Sequence, residues 1–389
     1  MQLIAITPPT SKLFINVAVQ LYQKDANWIR PLDKDINDIF DDKKNKAFRF
    51  GSLQRWVLQD NSGKLLGRIA AFVNSKYKNK GDEMPVGGMG FFECANNQDA
   101  ANLLLDTAKK WLQDKGMQAM DGPINFGERD KWWGLVTSGF QEPLYCMNYN
   151  PPYYRILLEN YGFKVFYNQV CFGMQPKSTL SEKIWQRHAE FAANPVFSSA
   201  YVKKNNFKKF AADFAHVYNA AWAGHGGQKE ISTEQVLLMF KKMKPVMDEK
   251  ILWFIYENNI AIGLFVNLPD INQWFKHLDG QFGFIQKLKF LFIKASRPNK
   301  KFVGLVFGIV PQWQGKGADA YLIGEACKGY IHTKKSPYID FEMQWIGDFN
   351  PKMLNVAGSL GNVAESRRLS TYRYLFDREK AFKPHPVLI

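Results

Sequence analysis

Two stretches of the chain alternate in the same way. From Trp56 the sequence runs WVLQDNSGKLLGRIAAFVN, two apolar runs on either side of an Asn-Ser-Gly turn. From Trp253 it runs WFIYENNIAIGLFVN, again two apolar runs, here around Glu-Asn-Asn. Short apolar runs rich in β-branched and aromatic residues, split by turn residues, predict β-hairpins. A second pair of segments follows. Asn150-Pro151 opens NPPYYRILLENYGF, and Asn350-Pro351 opens NPKMLNVAGSLGN. Asn before Pro predicts a capped helix start, and Gly162 and Gly361 predict its end.

The spacing of these segments is also repeated. Trp56 and Asn150 are 94 residues apart, and Trp253 and Asn350 are 97 apart. Two matching hairpins and two matching helices at nearly equal separation predict a duplicated domain. The boundary falls after the strand FKVFYNQVCFGM, which gives domains 1–175 and 176–389. Ser178 or Thr179 is the expected cap of a helix running to Phe191. Each half reads as strand, helices, hairpin, strand, helix, strand, helix, strand. That order predicts an α+β fold, with a mixed, mostly antiparallel sheet in each half and helices on both faces.

Between a β-branched run, KFVGLVFGIV (301–310), and an apolar-periodic helix, ADAYLIGEACKGY (318–330), lies the turn PQWQGKG. Gly315 and Gly317 permit positive φ and close backbone approach. Turn amides and a helix N-terminus converging on one spot suit a phosphate, and Lys316 adds charge at the rim. In the first half the corresponding stretch is GGMGFFECANNQDAANLLLDTAKKWL (87–112). There the glycines precede the strand, none follows it, and Glu93 brings negative charge. This half is expected to have lost anion binding.

The run Val310-Pro311-Gln312-Trp313-Gln314-Gly315-Lys316-Gly317 resembles the acyl-CoA motif Arg/Gln-x-x-Gly-x-Gly/Ala of the GNAT superfamily of N-acetyltransferases. Tyr161-Gly162-Phe163 and Leu360-Gly361 resemble the close of that family's signature helix, so the chain looks like a tandem, two-domain member. Two registers compete for the motif. Counting from Gln312 gives Gly315 and Gly317 and fits it; counting from Gln314 gives Gly317 and then Asp319, where the motif has Gly or Ala, and Asp319 reads as a helix N-cap. The resemblance implies acetyl-CoA or another acyl-CoA as co-substrate. It assigns cofactor contacts to Ile309, Val310, Gln312, Gln314, Gly315, Lys316, Gly317, Ala318 and Asn350. The amides around Ile309, Val310 and Gln312 take the oxyanion role.

The family's usual tyrosine acid falls at Leu158 and Ala357 here, neither of which has a hydroxyl. Tyr372 and Tyr374 are the candidate substitutes. In YIDFEMQW (338–345), alternation places Asp340, Glu342 and Gln344 on one face, so Glu342 and Asp340 are candidate bases. His225, in the glycine-rich AWAGHGGQ, is a further candidate at the acceptor pocket.

Composition narrows the partners. The chain has 389 residues, 46% hydrophobic and 22% charged, the range of globular proteins. Its net charge of +15 favours an acidic partner: a polyphosphorylated cofactor, nucleic acid or an anionic membrane. The basic residues are dispersed, with no arginine-rich arm or zinc-type spacing, which argues against nucleic acid and leaves no metal assigned. Four cysteines, far apart, read as reduced thiols. The start MQLIAITPP does not read as a signal peptide and no apolar run is long enough to span a bilayer, so a cytoplasmic protein is expected.

The segment 282–301, FGFIQKLKFLFIKASRPNKK, places Phe282, Ile285, Leu288 and Phe292 on one helical face beside Lys287, Lys289 and Lys294. It fits a lid, a peripheral membrane contact or a helix packed on the other domain. The reading is an acyl-CoA-dependent N-acyltransferase that transfers an acetyl group, from the second half, to a small-molecule or lipid-like amine. The alternatives are a non-catalytic binding protein of the same fold and a peripheral membrane acyltransferase for long-chain substrates. The sequence is silent on oligomeric state.

Overall fold

The structure is a computed structural model that describes residues 1–222, 230–358 and 360–388. The first half contains β1 (Gln2–Ala5), α1 (Ser11–Leu21), α2 (Asp33–Ile39), β2 (Gly51–Gln59), β3 (Leu65–Asn74), β4 (Val86–Cys94), α3 (Gln98–Asp114), β5 (Ala119–Gly122), β6 (Leu135–Ser138), α4 (Tyr153–Tyr161) and β7 (Lys164–Met174). After a connecting helix, α5 (Glu182–Ala192), the series repeats. It runs β8 (Phe197–Tyr201), α6 (Phe207–Trp222), α7 (Thr233–Met243), β9 (Trp253–Glu257) and β10 (Ile260–Pro269). It continues through α8 (Asn272–Phe275), α9 (Phe284–Ser296), β11 (Lys301–Ile309), α10 (Ala318–Ala326), β12 (Asp340–Met343), β13 (Ile346–Gly347), α11 (Pro351–Gly358) and β14 (Ala364–Leu375). Apart from α5, α8 and α9, each element of the second half has a counterpart in the first.

The two halves share one sheet, in the order β1-β2-β3-β4-β5-β14-β7-β12-β11-β10-β9-β8. The last strand of each half is exchanged. β14 pairs with β5, Tyr372 opposite Gly122, and β7 pairs with β12, Glu342 opposite Gly173. The two exchanged strands pair with each other from Ala364–Gly173 to Arg373–Lys164.

Buried ion pairs hold β14 to both sides. Arg373 Nε and Nη2 donate to the two oxygens of Asp121, at 2.6 and 2.8 Å, on β5. Arg367 reaches past Gly173 to Glu342 on β12, with Nε to Oε1 at 2.5 Å and Nη2 to Oε2 at 3.0 Å. A side chain at Gly173 would stand 3.1 Å from Ser366, a tight contact at the strand between them.

Local signals are followed in most elements. Gly162 closes α4 at φ 107°, the left-handed conformation that glycine takes without a Cβ clash. Asn350 Oδ1 accepts from the Met353 amide at 3.3 Å and so caps α11 as expected. Asn150 does not cap α4. Its side chain is turned inward, where it accepts from Val136 N at 2.8 Å and donates to Val136 O at 3.1 Å. The start of α5 is Ser181 rather than Ser178 or Thr179, and Gly361 lies three residues beyond the end of α11.

Each half has its own core. In the first, Leu104, Leu105, Ala108 and Leu112 of α3 pack on β2–β4. In the second, Phe210 and Phe214 of α6 and Leu322 and Ala326 of α10 enclose β9–β11.

Candidate functional site

β11 and β12 run parallel but pair only between 301–304 and 340–343. Gln344 N donates to Gly304 O at 2.9 Å and closes the pairing. Beyond it the strands part. Among the described residues, Leu305–Ile309 have β10 on one side and no strand on the other. The opening leaves Leu305 36% exposed in the middle of a large sheet. Val310 N donates to Ile262 O, on the β10 side. Since backbone groups alternate along a strand, the amides of Phe307 and Ile309 face the opening. The amide of Val310 is therefore committed to the sheet and unavailable to an oxyanion, contrary to the sequence expectation.

The chain then turns once through Pro311–Trp313 and enters α10. Gln314 Nε2 returns to Ile309 O at 2.9 Å and fixes the bend. The Trp313 indole donates to Glu257 at 3.0 Å and sits edge-on to Phe191 and Phe197, which roots the turn in the core. Gly315 and Gly317 have φ of 72° and 99°. Gly317 itself is the N-cap of α10, with no side chain to bind the helix amides. Asp319 lies in the first turn rather than at the cap. The opening amides of a helix lack intrahelical acceptors, and with the helix dipole they favour an anion. Lys316 is exposed beside them, 5.4 Å from the Trp313 ring centre. Gln312 is exposed on the turn, and Ala318 is the buried first residue of the helix.

The first half has the same parting of strands, with β4 and β5 paired only at 86–88 and 119–121, but its helix start is filled. Asn97 Oδ1 accepts from Ala100 N at 2.8 Å and caps α3. The Tyr154 hydroxyl accepts from Cys94 N at 2.8 Å, and Tyr153 donates to Cys94 O at 2.8 Å. Glu93 is buried, with Tyr22 at 2.5 Å, Tyr154 at 2.9 Å and Arg68 at 3.2 Å. Burial raises its carboxyl above the ordinary range, against the lowering effects of Arg68 and the two tyrosines. This cluster borders a cavity of about 570 Å³, open mouth included, walled also by Phe91, Trp132 and Tyr149. The sequence reading missed it. Its signal was Tyr154, one helical turn before the position where a tyrosine was sought.

The candidate proton-transfer residues are placed differently from expectation. Glu342 is 1% exposed, and both its oxygens are engaged by Arg367, Lys301 (2.6 Å) and Ser366 (3.0 Å). Burial alone would raise its carboxyl; the hydrogen bonds and charge of Arg367 and Lys301 outweigh this and hold it below the ordinary range. A base needs the reverse, so Glu342 is a counter-ion. Asp340 is half exposed and pairs with Lys301 at 3.2 Å.

Tyr372 lies in the first half's core, where its hydroxyl donates to Glu159 at 3.1 Å. Strand exchange carries it three strands from β11, about 14 Å across the sheet. Tyr374 packs there too, against Tyr161 and Phe163. Neither stands beside the glycine turn. His225 lies outside the described residues. The structure thus gathers Ile309, Gln314, Gly315, Lys316, Gly317 and Ala318 at one place. It separates them from Tyr372, and it sets Asn350 at the head of α11.

No protein-family profile matches the chain. The chain is 24% identical over 380 residues to a bacterial ceramide synthase of Caulobacter vibrioides, covering 94% of each. It is 22% identical over 360 residues to Protein YghO of Escherichia coli, covering 90% of this chain and 89% of that protein. Among solved structures, it resembles a tandem GNAT protein from the clavulanic acid biosynthesis pathway, with a TM-score of 0.50, 8% identity, and 96% and 98% of the two chains covered. It also resembles a GCN5-related glucosamine N-acetyltransferase region of a fungal GH3 β-N-acetylglucosaminidase, with a TM-score of 0.53 and 11% identity, over 96% of this chain and 38% of that one. With its duplicated order of elements and the parting of β11 from β12, the chain carries the fold of a tandem GCN5-related N-acetyltransferase.

Proposed function

We propose that the protein is an acyl-CoA-dependent N-acyltransferase that binds its donor in the second half and forms an amide on a long-chain amine. The observation that carries this reading is the contrast between two equivalent helix starts. α3 is closed by its own Asn97, whereas α10 begins uncapped at Gly317 behind a turn with two positive-φ glycines. A pyrophosphate fits such a start, held by the amides of Gly317, Ala318 and Asp319, with Lys316 at the rim. The outward amides of Phe307 and Ile309 offer hydrogen bonds to an extended pantetheine chain lying where a neighbouring strand would pair. One such amide supports the oxyanion. The neutral amine nitrogen attacks the thioester carbonyl and gives its proton to water, the C–S bond breaks as the tetrahedral intermediate collapses to the amide, and the departing thiolate takes a proton from water.

A long-chain acceptor is favoured by the Caulobacter relative, whose name is that of an enzyme making ceramide, a lipid amide. The strand edge is apolar to match. Leu305 is exposed there, and the Trp222 ring lies over Gly308 so closely that a Cβ would meet it at 2.2 Å. The test is to incubate the protein with acetyl-CoA or palmitoyl-CoA and a long-chain amino alcohol. Thiol release is followed with a thiol reagent, and the amide by mass spectrometry. Amide formed with palmitoyl-CoA is expected. Absence of thiol release with both donors would overturn the reading in favour of a binding protein built on this fold.

A further inference from the structure

α9 carries five large apolar side chains that the described residues leave more than half exposed. Phe284 is 78% exposed, Ile285 74%, Leu288 53%, Leu291 56% and Phe292 72%. At about 100° per residue these five fall within an arc of about 120°. Phe290 and Ile293 lie on the opposite side, buried with Trp274, Phe275 and Leu32. The exposed face is therefore surplus to the packing of the helix.

Charge frames that face. Lys287 and Lys289 are exposed and fall on its two margins, while Lys294 turns the other way and donates to Pro245 O. α9, FIQKLKFLFIKAS, has three lysines and no acidic residue, in a chain of net charge +15. A second copy seated face to face would bring lysines against lysines. An anionic lipid surface supplies both an apolar layer and the opposite charge. With 13 residues the helix is about 20 Å long, and no helix among the described residues is long and apolar enough to cross a membrane, so it lies along the surface.

We infer that α9 docks the protein on an anionic bilayer, with Phe284, Leu288 and Phe292 in the acyl boundary and Lys287 and Lys289 at the phosphates. This stands apart from the acyl-transfer reading, since a non-catalytic protein with the same helix would dock as well. The root of α9 includes Leu32 and Tyr145 of the first half, so docking fixes the orientation of both halves. Loops bearing Pro31 and Pro143 also line the first-half cavity, which places that cavity near the bound surface.

Flotation of the full-length protein with vesicles of equimolar phosphatidylglycerol and phosphatidylcholine tests this, beside vesicles of phosphatidylcholine alone. The wild type floats with the anionic vesicles, and its partition falls about tenfold or more on the neutral ones or in high salt. A Phe284→Ser, Leu288→Ser, Phe292→Ser variant stays behind with a thermal melt close to that of the wild type, because those side chains are more than half exposed. A Lys287→Gln, Lys289→Gln variant loses the preference for anionic lipid. A wild type that stays behind, equal flotation on both vesicle types, or a triple serine variant that floats as the wild type does would each overturn the inference. So would velocity sedimentation showing a wild-type dimer and a monomeric variant without flotation, which would assign the face to a second copy.

Discussion

Glu342 shows how a side chain's role depends on what lies opposite it. Alternation in DFEM correctly put Asp340 and Glu342 on one face, but not what would meet them. Arg367 is 25 residues away and reaches Glu342 across an intervening strand from the other half. That contact exists only once the strands are exchanged, so no local pattern could reveal it. A Glu342→Gln change leaves Arg367, itself 1% exposed, without its counter-ion. The expected cost is about 3–5 kcal/mol of stability, read from denaturant unfolding, with kcat per folded molecule little changed. A stable variant with kcat reduced a hundredfold would instead restore Glu342 as the base. The carboxyl is held below its ordinary value of 4.5, so the folded state binds fewer protons there than the unfolded state. Its contribution to stability is full above about pH 4.5 and is lost as pH falls through the lowered value. Unfolding midpoints measured from pH 6 down to about pH 3 should fall more steeply in the wild type than in Glu342→Gln.

At the scale of the element, sequence was the better guide. Both hairpins, the close of α4 at Gly162, the cap of α11 at Asn350 and the strand–turn–helix around Gly315 follow from short-range chemistry. Asp319 reads locally as a cap for α10. The structure starts the helix two residues earlier, because Gly317 at φ 99° already turns the chain. What holds α10 in place was not legible. Gly324 lies under the His188 ring of α5, so close that a Cβ would stand 2.2 Å from it, and His188 Nε2 meets Glu325 at 2.8 Å. Two helices more than a hundred residues apart are fitted by one missing side chain. Gly324→Val should push α5 from α10 and lower stability by about 1–3 kcal/mol. Calorimetric melting of the variant measures it, and an unchanged melt would show that the two helices are not so closely fitted.

For the whole molecule, the duplication was visible in sequence and the exchange was not. An apolar strand states which face it buries, not which edge it joins; β7 and β14 have the same local character whether each closes its own half or the other. The exchange means that residues 1–175 and 176–389, expressed apart, each lack a strand that their own sheet requires. Each fragment should be aggregated or unfolded alone. Mixed during refolding, they should form one heterodimer with the circular dichroism spectrum of the intact chain. Two separately folded, monomeric fragments would show that the exchange is dispensable.

The central claim is that acyl-CoA binds where α10 begins. The most direct measurement is a calorimetric titration of palmitoyl-CoA and acetyl-CoA into the wild type and a Gly315→Asp variant. Gly315 is the position to change: a Cβ there meets nothing within 4 Å, and aspartate tolerates its positive φ better than most residues, so the fold is spared. Saturable binding to the wild type, weakened at least about tenfold by the carboxylate placed in the anion cradle, is the predicted result. Binding of equal strength to both proteins would contradict the account and move the donor elsewhere in the molecule.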